Sequence, residues 1–111
     1  MTEEDGCALL LRAFTRKGLA IQERFAFRED GVEVELDGWD PARRVGYEYI
    51  TTEAGDRGEF TAETIAKLEA RMAKDELYVL LVDEHDAEAE PALLAAAEGF
   101  LAELADRGKL P

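Results

Sequence analysis

The spacing of apolar residues changes period several times along this chain, and each change marks the boundary of an element. Between Glu4 and Lys17, residues Cys7, Leu10, Leu11 and Phe14 recur at three- and four-residue intervals, which predicts an amphipathic helix. Acids at Glu3, Glu4 and Asp5 suit its N-terminus, Arg16 and Lys17 suit its C-terminus, and Gly18 follows as a terminating glycine. From Leu19 the period falls to two, and strands are predicted over 20–28 and Val32–Gly38. Asp30-Gly31 between them favours a type I′ hairpin, because both loop positions need φ > 0. Folding there sets Phe27 against Val34 and Phe25 against Leu36 on one face. The other face then pairs Arg28 with Glu33, Ala26 with Glu35 and Arg24 with Asp37.

Trp39 to Arg44 reads as a second turn with Pro41 at the second position of a type I turn, followed by a strand over Val45–Thr51. A register with Leu36 near Tyr47 and Val34 near Tyr49 would extend the apolar face and leave Glu48 on the polar face with Glu35. After a loop at Thr52–Glu59, Thr61 is the expected N-cap of a helix ending near Asp75, with Ile65, Leu68 and Met72 as its stripe. Leu77 to Val82 is apolar without alternation, which predicts a central strand buried on both faces. Pro91 opens a final helix that Gly108 closes. The expected fold is α+β (mixed α/β), one domain over residues 1–111 in the order αβββαβα: an antiparallel three-stranded meander plus a buried fourth strand, flanked by helices.

Thirteen Lys and Arg oppose 26 Asp and Glu, a net charge of −13. That balance disfavours a nucleic-acid partner, whose phosphates need a basic surface, and favours a protein partner with a basic contact surface. Cys7 is the single cysteine, so no internal disulfide can form and a cytoplasmic setting is expected. No apolar run approaches the roughly 20 residues that span a bilayer, so no membrane role is expected. The Ala-, Arg- and Glu-rich composition fits a bacterial protein.

Four features are candidates for chemistry or binding, the acids Asp37 and Glu48 being the last. Cys7 falls on the apolar side of its helix and is expected to be a buried structural thiol. The segment Asp83 to Glu90 gathers five acids and the only histidine, but lacks calcium-loop spacing, and its acids favour the following helix N-terminus. Trp39, Tyr47 and Tyr49 form an aromatic candidate, in which Trp39, beside Arg43 and Arg44, has the makeup of an interface anchor. A partner-binding surface of Trp39, Arg43, Arg44, Asp83, Glu84 and Asp86 is therefore expected.

Asp37 and Glu48 on the two middle strands are hard oxygen ligands. The order αβββαβ with an acid on each middle strand resembles the core of the PD-(D/E)XK nucleases. That resemblance implies a metal held by Asp37 and Glu48, and a lysine at the position of Ile50, where this chain has none; Lys67 or Arg71 on the next helix would have to replace it. Asp37 also lacks a preceding proline and is followed by Gly38. A salt bridge from Arg24 to Asp37 is the simpler expectation. The architecture is similar also to the type III secretion chaperones, small acidic chains that usually dimerise. The leading expectation is a non-enzymatic acidic binding or regulatory protein (adaptor, chaperone-like or immunity-type inhibitor), with no cofactor or metal and compatible with a homodimer. The alternative is a divergent PD-(D/E)XK-like nuclease using Asp37, Glu48 and Lys67.

Overall fold

The computed structural model describes residues Met1–Pro111. Helix α1 (Glu3–Thr15) starts at a reciprocal cap: Thr2 Oγ1 accepts from the Asp5 N–H, and the Asp5 carboxylate accepts from the Thr2 N–H. Strands β1 (Gln22–Glu29) and β2 (Val32–Asp40) form the expected hairpin, with Phe27 opposite Val34, Phe25 opposite Leu36, Ala26 opposite Glu35 and Arg28 opposite Glu33. Asp30 has φ 47° and Gly31 φ 79°, the two positive values that a type I′ turn requires. Only the Lys67 ammonium lies near an added Cβ at Gly31, so Gly31→Ala would be strained by backbone conformation rather than by contact. Chemical denaturation should show a loss of about 1 kcal/mol for that substitution. An unchanged midpoint would contradict this account of the turn.

Strand β3 (Val45–Ile50) runs antiparallel to β2, helix α2 (Ala62–Ala73) crosses over, and β4 (Tyr78–Asp83) returns parallel to β3. Helix α3 (Glu90–Asp106) closes the chain, and the mixed sheet has the order β1-β2-β3-β4. The class and element order match the sequence expectation, but β4 lies at the sheet edge rather than its centre. Its apolar run reflects cover on both faces. Tyr78 and Val82 join the core with α1 and α3, while Val79 joins the core with α2.

The expected β2–β3 register is corrected. Gly38 pairs with Tyr47, Trp39 with Gly46 and Asp40 with Val45. Val34 and Leu36 belong to the α2 side, whereas Tyr47 and Tyr49 belong to the α1/α3 side. Leu36 and Trp39 both face α2 although they are three residues apart, so the alternation slips by one at Asp37–Gly38. The turn after β2 is also wider than type I. Arg44 donates its N–H to Asp40 O at 2.8 Å, one residue beyond a β-turn, while Asp40 Oδ1 accepts from the N–H groups of Ala42 and Arg43. No helix is long and apolar enough to cross a membrane.

Candidate functional site

The slip in β2 separates it from β3 and creates the most unusual group in the molecule. Past Gly38 and Tyr47 the backbone ladder stops. Glu48 Oε1 accepts from the Asp37 N–H at 2.9 Å, and Asp37 Oδ2 accepts from the Tyr49 N–H at 2.8 Å. Two carboxyls thus replace the carbonyl acceptors of a continuous sheet. Glu48 is fully buried, its side chain meets the Asp37 carboxyl, and no N–H or O–H of another residue reaches its second oxygen. Burial pushes the Glu48 carboxyl far above the usual carboxylate range, and the charges of Asp37 and Asp56 push it further. Burial likewise raises Asp37, opposed by the Tyr49 N–H. The pair therefore holds a proton where separate acids would be ionised.

Asp37 opens onto a cleft of about 830 Å³ between α1, the sheet and the loop after β3. Eight carboxylate side chains line it (Glu3, Glu4, Glu23, Glu35, Asp37, Glu53, Asp56 and Glu59), with Arg24 as the only cationic lining residue. On α1, Glu3 and Cys7 are one helical turn apart and share a face. Glu3 Oε1 accepts from the Cys7 thiol at 3.3 Å, and Glu3 Oε2 accepts from the Thr51 hydroxyl at 2.8 Å. A ligating atom from each of Glu3, Cys7 and Asp37 lies within 4.8 Å of the other two. Burial pushes the Cys7 thiol up, and the Asp37 and Glu3 carboxylates add to the effect.

Asp37 and Glu48 do meet, but Glu48 is enclosed rather than on a polar face. Arg24 makes no ion pair with Asp37; its φ of 50° falls where the β1–β2 pairing skips these two residues, and Arg24 is exposed. Lys67 sits beside the hairpin tip and pairs with Glu63 at 3.4 Å, remote from the acid pair. Arg71 is held by Glu29 at 2.9 Å and by Glu76 at 2.9 Å. Neither stands in for the lysine missing at Ile50, whose side chain joins the core on the α2 side.

The expected anchor also needs correction. Trp39 is 1% exposed, packed edge-on to Phe27 with ring centres 5.3 Å apart and covered by the Arg44 guanidinium at 5.4 Å. Arg44 is itself tied to Glu29 at 2.6 Å. Only Arg43 of that group is exposed. Asp83 and Glu84 are gripped by Arg57, at 2.6 Å and 3.2 Å, and the Arg57 hydrogen bond lowers the Asp83 carboxyl to about 2. Asp86 and His85 remain exposed.

Glu3 and Asp56 were not anticipated at the site, and Cys7, expected as a buried core thiol, is half-buried and lines the cleft. The four-residue spacing of Glu3 and Cys7 was the available signal. Compared with known proteins, the chain matches no family model, no curated sequence and no solved structure.

Proposed function

We propose that this is an acidic binding or regulatory protein whose cleft receives a basic segment of a protein partner. The observation that supports it is the cleft itself, lined by eight carboxyl side chains and a single guanidinium. Their summed potential attracts lysine and arginine side chains and steers encounter, while low-dielectric walls focus it. The contact surface lies at the cleft rather than at Trp39, because Trp39 is enclosed and Arg57 neutralises much of the Asp83–Glu84 corner.

The test is fluorescence anisotropy with a labelled ten-residue oligoarginine peptide across a salt series. Binding should weaken as salt rises, since screening acts beyond about 8 Å at physiological ionic strength. Reversing Glu35 and Glu59 to lysine at the cleft should abolish it. Reversing Glu98 to lysine, on the exposed face of α3, should leave it nearly intact. Equal losses from both changes would mean diffuse attraction and no cleft site.

A second reading, a divergent metal-dependent nuclease, is favoured by the meeting of Asp37 and Glu48 alone. Magnesium fits this donor set poorly. It prefers oxygen ligands and retains several waters, whereas Glu48 is enclosed and a thiol stands beside Asp37. We expect no cleavage of DNA or RNA with Mg²⁺ or Mn²⁺. Cleavage that disappears in Asp37→Asn would replace the binding reading with the enzymatic one.

A further inference from the structure

We propose that Glu3, Cys7 and Asp37 form a binding site for a thiophilic divalent cation of the zinc class. The three groups come from two elements that the fold brings together, α1 and β2, and their ligating atoms fall within 4.8 Å of one another. Tetrahedral zinc, at about 2.3 Å from sulfur and 2.0–2.2 Å from oxygen, needs its ligands about 3.5 Å apart. Cys7 Sγ and Glu3 Oε1 are already at 3.3 Å, so closure needs only a small rotation of Asp37 or Cys7.

An independent observation points to the same place. The Tyr47 hydroxyl is buried and lacks a hydrogen-bond partner, whereas Glu48 Oε2, which has no other partner, is satisfied by the proton it shares with Asp37. The Tyr47 side chain is fully buried. The Tyr47 hydroxyl lies over Gly38, the residue next to Asp37. An orphaned buried polar group carries a desolvation cost, and one beside the Asp37 carboxylate marks a position built for something further.

The donor set decides the class of ion. A thiol one helical turn from a carboxylate selects zinc, cobalt or cadmium over magnesium or calcium. Without a cation, burial and then the Asp37 and Glu3 carboxylates favour the protonated Cys7 thiol. A bound divalent ion reverses that preference, since a coordinating thiol is deprotonated. All three residues line the cleft, which leaves room for water or a partner's side chain as a fourth ligand. The inference does not depend on the peptide reading, and spectroscopy of the protein alone tests it.

Cobalt(II) is the probe. The full chain, reduced and freed of metal, should bind one equivalent with a thiolate-to-cobalt charge-transfer band in the near ultraviolet, and zinc should displace it. Cys7→Ser should remove the band, and Asp37→Asn and Glu3→Gln should each weaken cobalt binding at least tenfold with unchanged circular dichroism. Zinc should also slow alkylation of Cys7 by iodoacetamide at least tenfold in the unsubstituted protein, a readout that needs no variant to fold. Absence of the band, its persistence in Cys7→Ser, or an alkylation rate indifferent to zinc would overturn the proposal. Failure of oligoarginine binding would leave these results untouched.

Discussion

Glu48→Gln should make the protein more stable above neutral pH, by about 2 kcal/mol at pH 7.5 in the presence of a chelator. The sign follows from linkage. An unfolded glutamate titrates near 4.3, whereas Glu48 in the fold titrates well above that value because burial and the Asp37 and Asp56 carboxylates oppose its ionisation. Between those two values the folded chain holds a proton that the unfolded chain has released. Stability is therefore greatest below the unfolded value and falls as pH rises, by up to about 1.4 kcal/mol per pH unit for one retained proton. Glutamine removes that proton from the balance while keeping the shape. Its oxygen still accepts from the Asp37 N–H, and its amide donates to the Asp37 carboxylate, as the protonated acid does. Urea denaturation of both proteins from pH 5 to pH 8.5 should give curves that diverge upward with pH, glutamine above. Asp83 acts in the opposite sense, being lowered to about 2 by Arg57, but its contribution is lost only in strong acid and lies outside this window. Parallel curves would show that Glu48 is ionised in the fold like any exposed acid.

The sequence made the hairpin legible because one dipeptide fixed both the turn and the register. Asp30-Gly31 left a single pairing that satisfied the apolar and the charged face together, and Phe27–Val34 and Arg28–Glu33 follow it. The register of β2 on β3 was not legible, because it depends on the slip at Asp37–Gly38, which strict alternation does not announce. The exposure of Trp39 failed for the same reason, since the slip turns its ring inward against Phe27. An apolar run such as Leu77–Val82 reports cover on two faces but not how many strands flank it, so an edge strand read as a central one. At the cleft, Asp37 and Glu48 stood out as acids on middle strands. Glu3 read as a helix-terminus acid and Cys7 as a core thiol, because the angle at which α1 docks decides which side of its stripe meets the sheet.

Gly46→Ala should cost about 3 kcal/mol or more, several times the loss expected at Gly31. The two middle strands are joined by reciprocal contacts in which each aromatic lies across the glycine of the facing strand. Gly38 is opposite Tyr47, and Gly46 is opposite Trp39. A Cβ on Gly46 would meet the Trp39 ring at 2.8 Å and press still harder on the carbonyl oxygen of Gly38. The ring has no room to withdraw, because Trp39 is enclosed by Phe25, Phe27 and Arg44. The carbonyl belongs to the backbone at the point where the strands begin to diverge, so relief would widen the opening that positions Asp37 and Glu48. Gly99 supplies the comparison: it lies on the exposed face of α3 with nothing near an added Cβ, and Gly99→Ala should stabilise by about 0.5–1 kcal/mol through helix propensity. Thermal and urea unfolding of the two variants would test the contrast. A loss below about 1 kcal/mol at Gly46 would mean that the strands separate without penalty, and the close approach of β2 and β3 would not be what sets the acid pair.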